Sequence, residues 1–488
     1  MKKLLRLAPL SLALLAGCAG NPESRVDLGA IYNRSAQTIG TDRIPVVVIP
    51  GILGTRLVQE DSGRIVWGAF TYGAADPDNP EGARLVALPM REGAPLAERR
   101  DEVKPDGVLT TLEANVAVLK ITALRPYQSI IQTLAAGRYI DRGIARATAG
   151  PRAGQPRSGF DDAGTHFTCF QFDYDWRRDI SEQAPRLHHL ISEASALATA
   201  ARDGHNGTAP AEPVKVDIVA HSMGGMVLLY YLKYGTAPLP EDGSLPPLTW
   251  GGAKLVRNAV FVGTPSAGSV LSLKQLVEGA EFAPIAPTYR PAVLGTMPAI
   301  YQLMPRQRHA PVVDASTSEP IDIYNPEEWV RHRWGLADPG QAEFVQWLLP
   351  DVTDAEARRR IALDQLGHCL RRAEQLHRAL DTPTETPLGL ELHLFAGDAE
   401  RTPARVAVDP KTSRLRVDAF APGDGTVTRA SALMDERQGG EWTPRLRSPI
   451  RFDSVRFLPQ DHIGLTADPV FTDNLLYLLL ERADFPNR

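Results

Sequence analysis

The sequence contains 488 residues, of which 43% are hydrophobic and 23% are charged, and this is the composition of an ordinary globular protein. The length suits one large α/β domain with insertions, or two domains. A formal net charge of −5 provides no basic surface, so we do not expect nucleic acid as a partner.

The first eighteen residues have the pattern of a secretory signal. The segment begins with the basic residues Lys2, Lys3 and Arg6. Residues 7–15 then form an apolar run that is too short to cross a bilayer as a helix. Leu-Ala-Gly-Cys then resembles the lipobox of bacterial lipoproteins, in which the cysteine is lipid-modified and becomes the mature N-terminus. We therefore expect a signal peptide at 1–17, a lipid anchor at Cys18 and a linker over 18–42. The alternative is a plain secretory signal.

The residue after this cysteine bears on location. Ala19 is not the acidic residue associated with inner-membrane retention. The pattern therefore favours a lipid-anchored protein of the bacterial cell envelope, at the outer membrane and on its periplasmic or surface face. No later segment has the pattern of a transmembrane helix.

Apolar runs alternate with helical patterns in the first half of the chain. Strands are predicted at 43–49, 167–174, 215–220 and 258–262, and helices at 127–136, 182–202 and 226–234. From about 266 to 388 the sequence is irregular and rich in proline, with one long helix that starts at a capping box, Thr353 to Glu356, and continues towards Leu380. Strands return at 390–395 and 455–458, and a last helix is predicted at 474–482.

This alternation predicts a mostly parallel, doubly wound α/β sheet. A strand-poor block between two strands predicts a large cap or lid over the carboxyl edge of the sheet, where the sites of such folds lie. The predicted organisation is a core at 43–265 with an insertion at about 56–165, a cap or lid at 266–388, and the second part of the core at 389–488.

The string from Lys215 to Met226 has the form of a nucleophile elbow, with Ala220 in the first small position and Ser222 at the centre. The turn from strand to helix is so sharp that the flanking residues must be small. It exposes the serine hydroxyl above the sheet, while the backbone N–H of Met223 and the helix N-terminus face a developing oxyanion. The motif predicts an α/β-hydrolase fold.

Serine is a weak nucleophile unless a base accepts its proton, and the base needs an acid that fixes its tautomer. On this fold the three groups follow in the order serine, acid, histidine. Of the eleven histidines, only His462 comes after the plausible acids. His221 adjoins the serine, but neighbours in a strand point to opposite faces, which favours a structural role.

Two aspartates are candidates for the acid. Asp398 directly follows the strand at 390–395, where this fold would first place the acid. Asp424 lies between Gly423 and Gly425, which allow a tight turn that presents one carboxylate inward. Local spacing alone does not decide between them.

Five short motifs occur in one order: Pro-Gly-Ile-Leu-Gly-Thr-Arg-Leu at 50–57, Tyr-Asp-Trp-Arg at 174–177, Ala-His-Ser-Met-Gly-Gly at 220–225, Gly-Thr-Pro at 263–265 and Gly-Asp-Gly-Thr-Val at 423–427. With His462, they resemble the lecithin:cholesterol acyltransferase and lysosomal phospholipase A family. The resemblance consists of motif islands between about residues 43 and 465.

The resemblance implies a role for several residues. It makes Asp424 the acid, and it makes Ile52 and Met223 the donors of the oxyanion N–H groups. Trp67 could line an acyl pocket, as a similarly placed tryptophan does in the family, or could be a core aromatic. The family's mammalian members have a disulfide-closed lid loop early in the chain, but residues 56–165 contain no cysteine here, so lid behaviour is not implied.

Several other residues are open to two interpretations. Cys169 and Cys369 could form a disulfide in the periplasm, or Cys169 could be a buried free thiol. Neither has the spacing of a metal ligand, and we expect no metal or cofactor.

Asp175 and Arg177 are interpreted as a supporting ion pair. The last two, Trp329 and Trp334, could form a membrane-facing or substrate-facing edge, although a packing role is favoured.

These features favour a serine-dependent lipid ester hydrolase or acyltransferase. Its substrate would be a phospholipid or another lipid ester, an acyl-enzyme would form on Ser222, and water or an alcohol would accept the acyl chain. Two alternatives remain: an envelope lipoprotein that uses the fold as a non-catalytic scaffold, and a serine esterase for small soluble esters.

Overall fold

A computed structural model describes residues 31–36, 43–70, 73–109, 112–116, 119–124, 127–144, 166–206, 212–281, 287–437 and 444–482. The predicted signal peptide, the lipidation site Cys18 and most of the predicted linker lie outside the described residues. Among the described residues, no helix is both long enough and apolar enough to cross a lipid bilayer.

The strands and helices are numbered here in chain order. The strands β1 to β15 are Val46–Ile49, Thr55–Gln59, Ile65–Trp67, Ala69–Phe70, Val103–Val108, Leu112–Val116, Leu119–Leu124, Cys169–Gln171, Val216–His221, Val256–Val262, Val312–Asp314, Glu391–Gly397, Glu400–Val408, Leu415–Gly423 and Ser454–Leu458. The α-helices α1 to α13 are Asn33–Ala36, Pro80–Val86, Gln128–Ala136, Ala184–Asn206, Met223–Tyr234, Val270–Glu278, Pro291–Leu294, Pro298–Gln302, Pro326–His332, Ala342–Leu348, Ala355–Asp381, Arg429–Ala432 and Pro469–Leu476.

The central sheet has six strands in the order β15-β12-β10-β9-β1-β8. Every neighbouring pair is parallel. Strand β1 is fully buried, and its side chains alternate between two apolar clusters, with Val47 and Ile49 in one and Val46 and Val48 in the other. Burial on both faces explains why these strands read as continuous apolar runs. The predicted doubly wound parallel sheet is confirmed.

Smaller sheets were missed by the sequence analysis. Strands β2, β3 and β5 form one, β4, β6 and β7 another, and β11, β13 and β14 a third. Strand β5 contains Pro105 and Gly107, two residue types that are depleted in strands. No strand is predicted there for this reason, whereas the structure pairs β5 antiparallel with β2. The C-terminal helix was also misplaced, since it begins at Pro469 and continues from Tyr477 as a π-helix to Glu481.

The block between β10 and β12 is helical, with β11 as a short exception among its described residues. Its long helix α11 begins after Asp354, whose side chain accepts a hydrogen bond from the Ala357 N–H. The N-cap is therefore Asp354, one residue after Thr353, where the predicted capping box begins. Trp329 and Trp334 are buried, with ring centroids 5.8 Å apart. Their predicted packing role is confirmed, and the alternative of an exposed aromatic edge is wrong.

The cysteines do not form a disulfide. Cys169 and Cys369 are both buried free thiols. Burial raises the pKa of Cys369 to about 12, and burial followed by the charge of Asp141 raises the pKa of Cys169 well above its ordinary value. Both groups are therefore protonated at neutral pH and poor nucleophiles.

The Tyr-Asp-Trp-Arg motif contains a buried ion cluster. The Arg177 guanidinium donates to both carboxylate oxygens of Asp175, at 2.9 and 2.7 Å. It also lies 2.8 Å from the Asp101 carboxylate and donates to the Val86 carbonyl at 3.1 Å. The predicted ion pair is therefore present, and it ties the segment after β8 to the first part of the chain.

Replacing Arg177 with methionine should destabilise the protein by about 3–5 kcal/mol, because the buried carboxylate of Asp175 and the partly buried carboxylate of Asp101 would lose their cation. Urea denaturation followed by circular dichroism measures the change. Arg405→Met is the matched control, because it breaks an ion pair with Asp418 whose side chains are 45% and 26% exposed. Equal losses of stability in the two variants would contradict the prediction.

Candidate active site

Ser222 occupies the sharp turn between β9 and α5. Its backbone has φ 54° and ψ −128°, a left-handed conformation that is unfavourable for a residue with a side chain. The Ser222 N–H donates to the Val262 carbonyl at 2.8 Å, which fixes the turn to the neighbouring strand β10. The helix begins at Met223, three residues earlier than the sequence analysis expected.

Glycines around the turn permit close approach of the backbone. A Cβ on Gly224 would lie 2.4 Å from the Pro50 carbonyl oxygen, and one on Gly225 would lie 2.0 Å from Thr264 Oγ1. A Cβ on Gly51 would lie 2.7 Å from the Cβ of Ser222. The small residues are therefore required because the segments after β1 and β10 pack directly against this turn.

Three side chains from separate parts of the chain form one hydrogen-bonded row. His462 Nε2 lies 2.9 Å from Ser222 Oγ, and His462 Nδ1 lies 2.8 Å from Asp424 Oδ2. The His462 backbone N–H also donates to the Asp424 carbonyl at 2.9 Å. The distances permit proton transfer from the hydroxyl to a ring nitrogen whose opposite side faces a carboxylate.

The Asp424 carboxylate is buried and is held by its own turn. Its Oδ1 accepts hydrogen bonds from the N–H groups of Thr426 at 2.9 Å and Val427 at 2.6 Å. Burial alone would raise the pKa of Asp424, but the neighbouring His462 and these N–H groups outweigh it, so the pKa lies below its ordinary value. The group is therefore an ionised acceptor at neutral pH.

Asp398, the other candidate acid, has a different partner. Its carboxylate accepts a hydrogen bond from Arg429 at 2.8 Å, and its side chain is 29% exposed. The preceding Gly397 leaves room for the Asp424 turn, because a Cβ at that position would lie 2.6 Å from the Cβ of Asp424. The structure therefore brings Asp424 to His462 and pairs Asp398 with arginine.

The segment after β1 forms a tight turn beside the serine. The Gly54 N–H donates to the Gly51 carbonyl at 3.1 Å, and Leu53 has φ 64°, a conformation normally given to glycine at this turn position. Among the described residues, neither the Ile52 N–H nor the Met223 N–H donates to a protein acceptor. Met223 directly follows Ser222, and Ile52 directly follows Gly51, which packs against the serine, so both predicted oxyanion donors lie close to Ser222.

Trp67 packs in the core and also lines the cavity onto which Ser222 opens. It is 4% exposed, and its ring lies edge-on to Trp176 and Tyr289, with centroids 5.5 and 5.8 Å away. Its indole N–H also donates to the Leu53 carbonyl at 2.7 Å. This bond holds the strained turn, and no pattern in the sequence indicates it.

Two further residues beside the row were not found by sequence reasoning. Tyr127 is buried, and its hydroxyl accepts the Gly51 N–H at 2.7 Å. The ring of His221, expected to face away from the serine, instead lies with its centroid 5.0 Å from that of His462. Tyr127 had no sequence signal, because it precedes an ordinary helix far from the motifs around Ser222.

Ser222 and His462 open onto a cavity of about 370 Å³, within the range of small-molecule sites. Its wall is mostly apolar, and the apolar side chains include Ile52, Leu53, Trp67, Leu109, Trp176, Leu271, Leu294, Ile300, Leu303 and Ile463. Ser272, Gln275 and Glu281 add a polar edge. Within the described part of the chain, no group of three or more His, Cys, Asp or Glu side chains could hold a metal ion.

Comparison with known proteins supports the predicted resemblance. Residues 165–330 match the family model of lecithin:cholesterol acyltransferase. The lysosomal phospholipase A and acyltransferase of Mus musculus is 26% identical over 315 residues, which cover 63% of this chain and 61% of that protein. The Rattus norvegicus protein of that name gives the same values. The chain thus matches less than two thirds of the length of these relatives, and the resemblance is confirmed.

A solved structure supports the fold. A chain in the crystal structure of the Tle4–Tli4 complex aligns with a TM-score of 0.52 and 16% identity, covering 91% of this chain and 100% of that chain. At this identity the likeness concerns the fold alone. Together with the parallel sheet and the strand–serine–helix turn, it confirms the predicted α/β-hydrolase fold.

Proposed function

We propose that this chain, which is similar to the lecithin:cholesterol acyltransferase family over residues 165–330, is a serine-dependent lipid ester hydrolase or acyltransferase. The observation that carries the proposal is the row Ser222–His462–Asp424 in the wall of a mostly apolar cavity. We assign Ser222 as nucleophile, His462 as general base and Asp424 as the acid that orients the histidine.

The reaction follows from these positions. His462 Nε2 accepts the proton of Ser222 Oγ while the oxygen forms a bond to the ester carbonyl carbon. The carbonyl oxygen becomes an oxyanion, which the Ile52 and Met223 N–H groups bind. Asp424 accepts the His462 Nδ1–H and stabilises the imidazolium. The bond to the alcohol oxygen then breaks, and His462 returns the proton to that oxygen, which leaves an acyl-enzyme.

The second half of the cycle removes the acyl group from Ser222. Water or an alcohol loses its proton to His462 and attacks the acyl carbonyl, and the proton passes to Ser222 Oγ as the ester bond breaks. Hydrolysis and acyl transfer differ only in which of the two nucleophiles reaches the acyl-enzyme. The relatives' name, lysosomal phospholipase A and acyltransferase, combines both outcomes.

The apolar cavity supports a lipid substrate. Burial of an acyl chain against its aliphatic and aromatic wall would contribute about 0.8 kcal/mol for each methylene removed from water. The predicted lipid anchor at Cys18 would place the enzyme at the envelope membrane, on the same surface as phospholipid substrates. This location is part of the proposal.

Two measurements test the proposal. Covalent labelling by a fluorophosphonate reports an activated serine, and the absence of a label on folded protein would favour the non-catalytic scaffold. Products formed from phospholipid vesicles, with and without an added long-chain alcohol, report the substrate and the acyl acceptor. Release of free fatty acid alone indicates a hydrolase, and an alkyl ester indicates an acyltransferase.

The cavity predicts a dependence on acyl-chain length. With p-nitrophenyl esters, kcat/KM should rise by up to about fourfold for each added methylene until the cavity is filled, because each buried methylene contributes about 0.8 kcal/mol. The Ser222→Ala variant serves as the blank for hydrolysis that does not involve the site. A value that is highest for the acetyl ester and falls with length would instead favour an esterase for small soluble esters.

A further inference from the structure

Tyr127 fixes the backbone of the turn that carries Ile52. It lies immediately before α3, is buried, and accepts the Gly51 N–H at 2.7 Å. Gly51 immediately precedes Ile52, and the Gly51 α-carbon packs against Ser222. The tyrosine oxygen therefore sets the direction of the peptide next to a proposed oxyanion donor.

His221 joins this tyrosine to the segment that carries His462. Its Nε2 lies 3.0 Å from the His462 carbonyl oxygen, and its Nδ1 lies 3.3 Å from Tyr127 Oη. A carbonyl only accepts, so Nε2 carries the hydrogen and Nδ1 accepts from the tyrosine hydroxyl. Burial, followed by the charge of His462, lowers the pKa of His221 to about 3. The ring is thus neutral at neutral pH, as this arrangement requires.

The hydrogen bonds form one continuous row with a single direction. The Gly51 N–H donates to Tyr127, the Tyr127 hydroxyl donates to His221 Nδ1, and His221 Nε2–H donates to the His462 carbonyl. Its two ends are the backbone of the oxyanion turn after β1 and the backbone of the loop after β15. These two loops are separate in the chain. Their relative position must be fixed if a base on one and an oxyanion donor on the other are to act on the same carbonyl group.

We infer that Tyr127 and His221 are positioning residues that couple the oxyanion turn to the loop of the proposed general base. This inference rests on the proposed function. Neither residue takes a proton in the reaction, and their contribution is to the placement of the Ile52 N–H and the His462 ring. Both side chains line the cavity beside Ser222 and His462, while its aliphatic side chains, such as Leu271, Leu294 and Leu303, are unchanged in the variants. Loss of Tyr127 or His221 should therefore affect kcat more than substrate binding.

The chain contains a chemically matched unit elsewhere. The Tyr324 hydroxyl lies 2.6 Å from His377 Nδ1, and His377 Nε2 lies 2.7 Å from the Gln302 carbonyl oxygen. This is also a buried tyrosine–histidine–carbonyl row, but neither of its side chains lines the cavity of Ser222. Tyr324→Phe is therefore a control for the general cost of removing such a hydroxyl.

The experiment compares Tyr127→Phe, His221→Leu, the double variant and Tyr324→Phe with the wild type. We expect each of the first two to lower kcat for a p-nitrophenyl ester by about 5- to 100-fold, the range that corresponds to one buried group left unsatisfied. KM should change by less than about threefold. The kcat of the double variant should be little lower than that of the less active single variant, because both substitutions break the same row of hydrogen bonds.

The conservative variant His221→Gln distinguishes a positioning role from a purely structural one, because only a positioning role predicts recovery of kcat. His221→Gln places an amide N–H near the position of Nε2, so it can still donate to the His462 carbonyl and should recover part of the kcat lost in His221→Leu. Thermal denaturation identifies folded variants, and Tyr324→Phe should keep the wild-type kcat.

Four outcomes overturn the inference. These are a wild-type kcat in folded Tyr127→Phe and His221→Leu, a fully additive double variant, no recovery in folded His221→Gln, and an equal fall of kcat in Tyr324→Phe. Failure of the proposed function is distinguishable, because in that case the wild type itself would neither hydrolyse the ester nor react with a fluorophosphonate.

Discussion

Replacing Ser222 with alanine is expected to lower ester hydrolysis by at least about 10⁴-fold and to leave the protein folded. The hydroxyl oxygen is the atom that would form the acyl bond, and the described residues place no second hydroxyl beside His462 Nε2. Alanine adopts the strained backbone of this turn no less readily than serine, so we expect little loss of stability. Initial rates with a p-nitrophenyl ester measure the effect, and circular dichroism measures folding.

A second serine near a histidine provides the control. Ser192 Oγ lies 3.5 Å from His188 Nε2 on the exposed side of α4, away from the cavity. Ser192→Ala should keep the wild-type rate and the wild-type reaction with a fluorophosphonate. Substantial hydrolysis by purified Ser222→Ala would show that the reaction does not pass through an acyl-enzyme on this serine.

The second large effect concerns the acid. Asp424→Asn should lower kcat by about 10⁴-fold, the loss seen when an amide replaces the carboxylate of such a triad. The amide can donate to His462 Nδ1, which favours the tautomer with hydrogen on Nε2, and that nitrogen then cannot accept the serine proton. The measurement is kcat at neutral pH with the same ester.

Asp398→Asn is the matched control for this change. It weakens a partly exposed bond to Arg429 and leaves the His462 row untouched, so it should keep most of the activity. If Asp398→Asn proved the inactive variant and Asp424→Asn kept its rate, the assignment of the acid would be wrong.

The central sheet was predictable because its strands are buried on both faces. Runs such as Val46 to Ile49 contain only β-branched residues and are too short for a typical helix, and both properties favour a buried strand. The turn at Ser222 was predictable for a related reason, since its close contacts admit only small residues. The order of the groups along the chain then singled out His462 without any knowledge of distances.

Other features of the site depend on tertiary contacts, which produce no periodic pattern in the sequence. Local spacing could not choose between Asp398 and Asp424, because an apolar pattern reports the burial of a strand and not the direction of the carboxylate that follows it. The resemblance favoured Asp424, and the structure brings that carboxylate to His462. Tyr127 had no sequence signal, and the alternation of a strand placed His221 away from the serine, since one bond between two distant side chains has no sequence period. Strand β5 was missed because it contains Pro105 and Gly107, which are typical of turns.

The parallel order of the sheet has a consequence for how this protein matures. Ser222 and His462 are separated by 240 positions along the chain and meet only because β9 and β15 end at the same edge of one sheet. Such distant pairings form late, after the entropy of closing long loops has been overcome. A partly synthesised or partly folded chain would therefore lack the complete Ser222–His462–Asp424 row, and the proposed lipid ester hydrolase would stay inactive towards membranes until its folding is complete.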